Sequence, residues 1–242
     1  MTPNRRWLRA KGLPAALAVS VTASMLSACS LFSGEPDPTR ACGVVVDASG
    51  SGADFHADQR LRTKLDPFLQ QQNCAQLTFV ALNALSDTSI CNEARLDLDP
   101  KVGDPDAVRT AGRKEALTRA LRLLDCARKE SSESDVLGAL RKAGTTRPDG
   151  AGPYAVLVVS DMIQHDEHVN MLTQNLDSAE ARAAVINQLG DLTPRLPDTV
   201  LYPTDLSTNI ADAKRGQDVR AFWTELFSSD RSGRPRIEMT YG

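Results

Sequence analysis

Uninterrupted apolar runs constrain the fold of this chain more than any other feature of its sequence. The clearest runs are residues 43–47, 77–82 and 154–160, and all three are rich in β-branched or aliphatic side chains. Runs of this length, apolar at successive positions, are typical of strands buried on both faces of a parallel sheet. The first run ends at a carboxylate, Asp47, and the third is followed directly by another, Asp161.

Segments with helical spacing separate these runs. Helices are predicted at residues 54–65, 109–129, 134–144 and 177–190 and around residues 219–226. Weaker strand signals occur at residues 89–99 and 199–202 and at the alternating Ile237, Met239 and Tyr241. The alternation predicts an α/β fold with a doubly wound, mostly parallel six-stranded sheet and helices on both faces.

Three local signals refine the helices. Pro67 should restart or kink the helix that precedes it, because proline lacks the backbone N–H that a helix interior needs. Asp177 and Glu180 resemble a capping box at the start of a helix. Trp223 shares a helical stripe with other apolar residues, so we expect it to pack against the sheet rather than to contact a ligand.

The first 28 residues have the pattern of an export signal. Four basic side chains lie among residues 1–11, and residues 12–28 carry no charge. The segment ends Leu-Ser-Ala before Cys29, which resembles the bacterial lipobox, so Cys29 is the predicted lipidation site. The alternative is an ordinary secretory signal with an incidental cysteine. We therefore expect a signal peptide at 1–28, a lipid-anchored tether at 29–40 and one domain at 41–242.

Charge excludes one class of partner. The whole chain has a formal net charge of -3, and residues 29–242 carry -7 because all charges in the signal segment are positive. No basic block lies beyond that segment. Since nucleic-acid binding depends on clustered Lys and Arg, the sequence predicts no nucleic-acid partner. Attachment to a membrane is expected through the lipid anchor only.

The remaining cysteines point to the same compartment as the signal segment. They are Cys42, Cys74, Cys91 and Cys126, an even number in a chain that is expected to be exported. Disulfides persist in oxidising surroundings, so we expect two of them and an extracytoplasmic location. The absence of a Cys-x-x-Cys pair argues against a zinc ribbon or a thioredoxin-type site.

A short polar motif follows the first predicted strand. Asp47, Ser49 and Ser51 form an Asp-x-Ser-x-Ser pattern. Ser134 begins a segment reading Ser-Asp-Val-Leu-Gly-Ala-Leu, and Asp161 ends the strong third run. In this order the three elements resemble the metal-ion-dependent adhesion site of von Willebrand factor type A domains. Ser134 stands where that family usually has Thr, and the residue after Asp161 is Met where Gly is common.

The resemblance implies a ligand set for a hard divalent cation, Mg²⁺ first and Mn²⁺ second. Ser49, Ser51 and Ser134 would offer hydroxyl oxygens directly, whereas Asp47 and Asp161 would act through water. One open coordination position would then accept an acidic side chain from a partner. The alternative is structural, with the two loop serines capping the next helix and Asp47 bonding to the loop.

The resemblance also implies how the cysteines pair. In the family the first two strands are parallel neighbours, which would bring Cys42 and Cys74 together at their amino ends. The pair that is left is Cys91 with Cys126.

No enzyme motif accompanies these residues. The Gly-x-Gly at residues 50–52 lacks the third glycine of a dinucleotide site, and Ser49 stands where an Asp-x-Asp phosphatase would need a carboxylate. The run 165–168, His-Asp-Glu-His, could ligate zinc but is interpreted as a solvated loop. We therefore expect a non-enzymatic, lipid-anchored type A domain that binds a protein or cell-envelope ligand through a divalent cation. The alternative is a metal-independent envelope assembly or scaffold module.

Overall fold

The computed structural model describes residues 39–98, 103–130, 133–149, 152–206, 210–228 and 233–239. The predicted signal peptide at 1–28, the lipidation site Cys29 and the tether up to residue 38 lie outside these residues. So does Tyr241, the last residue of the predicted final strand. Within the described ranges, no helix is both long enough and apolar enough to cross a membrane.

Strands and helices follow one another along the described residues much as the sequence predicts. The strands are β1 (Arg40–Asp47), β2 (Cys74–Leu82), β3 (Glu93–Asp97), β4 (Tyr154–Val159), β5 (Thr199–Pro203) and β6 (Arg236–Ile237). The helices are α1 (Gly50–Asp54), α2 (Ala57–Gln71), α3 (Asp106–Ala127), α4 (Val136–Thr145), α5 (Ala179–Leu189) and α6 (Ala213–Leu226). A single 3₁₀ turn, Gly190–Leu192, follows α5.

The six strands form one sheet in the order β3-β2-β1-β4-β5-β6. Every neighbouring pair is parallel except β2 with β3, which is antiparallel. In the centre of the sheet, Val46 of β1 pairs with Ala81 of β2 on one side and with Val159 of β4 on the other. The predicted α/β class with a mostly parallel six-stranded sheet is therefore confirmed.

Apolar side chains fill the space on both faces of the sheet. Along β1, Val44 and Val46 belong to one buried cluster and Val45 to another, as expected for side chains that alternate across a strand. The cluster around Val45 includes residues of α4, α5 and α6, and the other includes residues of α2 and α3. Burial on both faces explains why the central strands are apolar at successive positions.

Trp223 lies in the first of these clusters, as its helical spacing predicts. Its side chain is fully buried, and its ring stacks on Phe227 with 5.5 Å between the ring centroids. The indole N–H donates to the carbonyl oxygen of Met162 at 2.9 Å. Trp223 thus joins α6 to the segment that follows β4.

Three local predictions are corrected by the structure. Helix α2 runs through Pro67 without restarting, because the apolar stripe of Leu65, Phe68 and Leu69 continues to pack on the sheet across the proline. The N-cap of α5 is Ser178 rather than Asp177, and its hydroxyl accepts from the N–H of Ala181 at 3.2 Å. The last strand contains only two residues, since it pairs with β5 through Arg236 and Ile237 alone.

Both disulfides are present. Cys42 in β1 bonds to Cys74 at the start of β2, and Cys91 in the loop after β2 bonds to Cys126 in α3, with Cα atoms 5.7 and 5.8 Å apart respectively. These are the pairs that the family resemblance implies. Two disulfides indicate an oxidising, extracytoplasmic environment.

A tight contact across the centre of the sheet yields a stability prediction. A Cβ at Gly43 would lie 2.4 Å from the Tyr154 hydroxyl, which itself is 2.6 Å from the Thr78 hydroxyl. We expect Gly43→Ala to lower the free energy of unfolding by about 1–3 kcal/mol, measured by urea denaturation. Tyr154→Phe removes the clashing oxygen, so Gly43→Ala should cost less in that background; equal costs in both backgrounds would contradict the contact.

Candidate metal site

The candidate site lies at the carboxyl ends of the two central strands. Because Val46 of β1 pairs with Val159 of β4, the next residues, Asp47 and Ser160, lie side by side at this edge of the sheet. The Ser160 hydroxyl donates to Oδ2 of Asp47 at 2.8 Å. This hydrogen bond joins Asp47, a predicted ligand, to Ser160, the residue directly before the predicted ligand Asp161.

The other oxygen of Asp47 is bound by the loop that leads into α1. Oδ1 accepts from the backbone N–H of Ser49 at 3.0 Å and from its hydroxyl at 2.5 Å. The hydroxyls of Ser49 and Ser51 are 2.9 Å apart. A side chain at Gly52 would place its Cβ 2.4 Å from the Asp47 carbonyl oxygen, so only glycine allows the loop to turn this closely. The structure brings Asp47, Ser49 and Ser51 together.

The segment after β4 holds the other two predicted ligands. Oδ1 of Asp161 accepts from the N–H of Ile163 at 3.1 Å, and the Ser134 hydroxyl donates to the Ile163 carbonyl at 3.1 Å. Met162, which lies between Asp161 and Ile163 in the chain, has a φ of 56°, in the left-handed region that favours glycine. Met162 therefore occupies a strained backbone position. The hydrogen bond that its carbonyl oxygen accepts from the Trp223 indole helps to hold it there.

Gln164 was not predicted from the sequence, yet it fixes the start of α4 beside Ser134. Its Oε1 accepts from the N–H of Leu137 at 2.9 Å, and its Nε2 donates to Oδ1 of Asp135 at 3.1 Å. Asp135 is the N-cap of α4 and also accepts from the N–H of Gly138 at 2.8 Å. No spacing signal reveals Gln164, because its contacts lie 27 and 29 residues away. Ser160 was missed for the same reason.

The site is largely closed to solvent. Asp47 and Asp161 are fully buried, Ser49 and Ser134 are nearly so, and Ser51 is partly exposed. Burial raises the pKa of the Asp47 carboxyl above its ordinary value of 3.8, against hydrogen bonds from Ser49 and Ser160 and a smaller influence of Arg128 that lower it. Ionised Asp47 is therefore costly in this position unless positive charge compensates it.

The donor set has the chemistry that a hard cation requires. Within the described ranges, no group of three or more His, Cys, Asp or Glu side chains could hold a metal ion. The ligands predicted from the sequence are instead two carboxylates and three hydroxyls. A serine hydroxyl that donates its proton, as Ser49 does to Asp47 and Ser134 to Ile163, keeps its lone pairs available. Oxygen donors of this kind fit Mg²⁺ or Mn²⁺ and do not fit a soft metal.

The sequence 165–168 lies next to this site as a loop. Its backbone forms isolated bridges from His165 to Ser134 and to Asn170. His165, Glu167 and His168 are exposed, in agreement with the interpretation of a solvated loop.

Comparison with known proteins leaves the family open. No protein-family model and no curated protein matches this chain. Among solved structures, the human COPII-coat protein Sec24c is similar to it with a TM-score of 0.36 and 10% sequence identity. The similarity covers 85% of this chain and 30% of the Sec24c chain. A likeness at this level assigns neither a family nor a function.

The raised pKa of Asp47 leads to a test of its burial in metal-free buffer. Stability that depends on protonated Asp47 is complete below about pH 4 and is lost as the pH rises through the raised native pKa. Asp47→Asn cannot ionise, so the wild type should lose stability relative to this variant as the pH rises above about 4, by roughly 1.4 kcal/mol for each unit of pKa shift.

Urea denaturation at several pH values measures the difference between the two proteins. Asp191→Asn is the matched control, because the side chain of Asp191 is fully exposed and its removal should leave the pH dependence unchanged. If the stabilities of wild type and Asp47→Asn showed the same pH dependence, the conclusion that burial raises the pKa of Asp47 would be refuted.

Proposed function

We propose that this protein is a lipid-anchored, extracytoplasmic domain of von Willebrand factor type A architecture that binds a protein or cell-envelope ligand through a divalent cation. The doubly wound arrangement and the family membership are part of this proposal. The cation is Mg²⁺, with Mn²⁺ as the second candidate. Its proposed ligands are Asp47, Ser49, Ser51, Ser134 and Asp161.

The burial of Asp47 among neutral partners carries the proposal. Both of its oxygens are bound by hydroxyls or by a backbone amide, and its pKa is raised by burial. A carboxylate in such a position lowers the stability of the folded protein unless a cation compensates it. When bound, the cation supplies that charge and an open position that attracts an anionic oxygen.

The remaining features support how this site would meet a ligand. Ser51 is the partly exposed residue among the five proposed ligands, so a cation would reach the site from the side of the loop on which Ser51 lies. Three of the five donors are uncharged hydroxyls, which would leave the cation enough net charge to attract a carboxylate. The partner would thus contribute an Asp or Glu side chain, although residues 29–242 of this chain are acidic overall.

The location rests on two independent features. The disulfides indicate an oxidising compartment. The segment that ends in Leu-Ser-Ala-Cys supplies the proposed lipid anchor at Cys29. A lipid chain together with a short tether would hold the domain close to the membrane surface.

A second candidate function is a scaffold or assembly module that uses the same fold without metal. One observation favours it: Asp47, Ser49 and Ser134 already have hydrogen-bond partners when no cation is considered. Such a network can also serve only to fix the loops at this edge of the sheet.

Thermal unfolding with and without Mg²⁺ separates these two functions. A cation that binds only the folded state at a hundredfold excess over its Kd adds about 3 kcal/mol, which corresponds to a rise of about 5–10 °C in Tm. We expect this rise in the wild type and its loss in Asp47→Ala. Ser134→Ala should reduce the rise, and Ser134→Thr should preserve it because the hydroxyl remains.

Asp191→Ala provides the control for removing an exposed acidic side chain and should keep the full Mg²⁺ response. A wild-type Tm that is the same in Mg²⁺, in Mn²⁺ and in chelator would exclude the cation and favour the scaffold.

The anchor has its own test, because Cys29 is the proposed attachment point. We expect Cys29→Ser to move the mature protein from the membrane fraction to the soluble extracytoplasmic fraction, measured by fractionation and immunoblotting. Ser30→Ala is the matched control and should stay with the membrane. Signal-cleaved Cys29→Ser protein that remained in the membrane fraction would contradict lipid anchoring.

A further inference from the structure

Exposed apolar side chains are concentrated at the edge of the sheet that carries the candidate site. Leu85 and Ile90, with exposed fractions of 44% and 88%, belong to loop 83–92 after β2. Leu172, with an exposed fraction of 51%, belongs to the segment after β4. The other two exposed large apolar side chains of the described residues are Val108 and Met239. Three of the five exposed large apolar side chains of the described residues therefore follow strands that end at this edge of the sheet.

Loop 83–92 is held firmly while it exposes these side chains. Glu130 after α3 accepts from the Ser89 hydroxyl at 2.6 Å and from the N–H of Ile90 at 3.3 Å. The neighbouring Cys91 is bonded to Cys126. Ile90 is therefore presented to solvent by a braced loop. A surface that is ordered in advance loses less conformational entropy when a partner binds.

A cavity of about 500 Å³ opens between this loop and the segment after β4. Ala84 contributes one wall, and His165 and His168 contribute another. Ser134, a proposed cation ligand, also lines it. The volume is in the range of pockets that hold a side chain or a small ligand, and it directly adjoins the candidate site.

The charge of the cavity lining identifies what it would accept. Four acidic residues line it, Glu133, Asp135, Asp166 and Glu167, together with one basic residue, Arg141. Arg141 donates to the backbone carbonyl of Leu192 at 2.8 Å and also forms an ion pair with Asp135 at 3.8 Å, so Glu133, Asp166 and Glu167 supply the net negative charge. The net negative lining attracts a cationic group and repels an anionic one.

We infer that this cavity and the exposed side chains of its two loops form a docking surface for a protein partner that inserts a basic side chain flanked by apolar residues. The inference rests on the proposed function for the existence of a protein partner. It adds a second element of recognition, a Lys or Arg that enters the cavity beside the Asp or Glu that would reach the cation. Its own electrostatics do not require the cation.

Methyl NMR of the full-length protein in non-ionic detergent tests the docking surface. The chain contains five isoleucines, so selective labelling gives five probes. Ile90 reports on the braced loop and Ile163 on the segment after β4 that binds Ser134, whereas Ile237 in β6 is the internal reference. The probe ligand is the peptide acetyl-Leu-Arg-Leu-amide, and acetyl-Leu-Glu-Leu-amide is its matched control.

The arginine peptide should shift the Ile90 and Ile163 methyl signals in a saturable manner and leave Ile237 unchanged. Its Kd should increase about fivefold between roughly 0.05 M and 0.5 M NaCl, because salt screens exposed charges. The double variant Glu133→Gln/Glu167→Gln should weaken binding about fivefold, and the equally neutralising Glu115→Gln/Asp125→Asn on the exposed side of α3 should not. Equal affinity for both peptides, or an unchanged Kd in Glu133→Gln/Glu167→Gln, would overturn the inference.

The apolar part of the surface has a separate pair of variants. Leu85→Ser should weaken binding of the arginine peptide, and Val108→Ser, which removes a similarly exposed side chain from α3, should not. Equal effects of the two substitutions would count against the apolar contribution.

Titrations in Mg²⁺ and in chelator distinguish this inference from the proposed cation site. Binding of the arginine peptide under both conditions, in a protein that Mg²⁺ does not stabilise, supports the docking surface and rejects the cation. Stabilisation by Mg²⁺ without any shift of Ile90 or Ile163 by the arginine peptide rejects the docking surface and retains the cation.

Discussion

The parallel pairing of β1 with β4 is the constraint on which the rest of the structure depends. Both strands are buried on their two faces, so their register is set by apolar packing on either side of the sheet. With Val46 opposite Val159, Asp47 meets Ser160 and the Asp161 segment begins beside it. A shift of one residue would turn Asp47 to the opposite face and separate it from this serine. The candidate site is thus a consequence of core packing.

Two energetically unfavourable features lie at this edge of the sheet. Asp47 is buried among neutral donors, and Met162 is held at a positive φ by contacts from Ser160 and Trp223. Both features oppose folding locally, and the surrounding core offsets them. Costs of this kind are retained where they position groups for binding, which is why we place ligand recognition here. The same edge also carries the acidic cavity and the exposed Leu85 and Ile90.

Two recognition chemistries would then meet around Ser134, which belongs to the proposed cation site and also lines the cavity. The proposed cation attracts an acidic side chain, and the carboxylates around the cavity attract a basic one. A partner with both charges on neighbouring residues would satisfy the two elements together. Such paired requirements give greater specificity than either charge alone, because a partner with only one sign is repelled at the other element.

Contacts between neighbours in the chain were open to prediction from the sequence alone. The apolar runs indicated the buried strands, and the spacing of Asp47, Ser49 and Ser51 indicated a local cluster, since a single tight loop brings these residues together whatever the rest of the chain does. The sequence did not reveal that Ser160 binds Asp47 from 113 residues away, that Gln164 organises the start of α4, or that α2 continues through Pro67. Those outcomes depend on strand register and on packing between distant elements. Only the tertiary structure decides them, because the free energy that selects them comes from surfaces that do not exist until the sheet has formed.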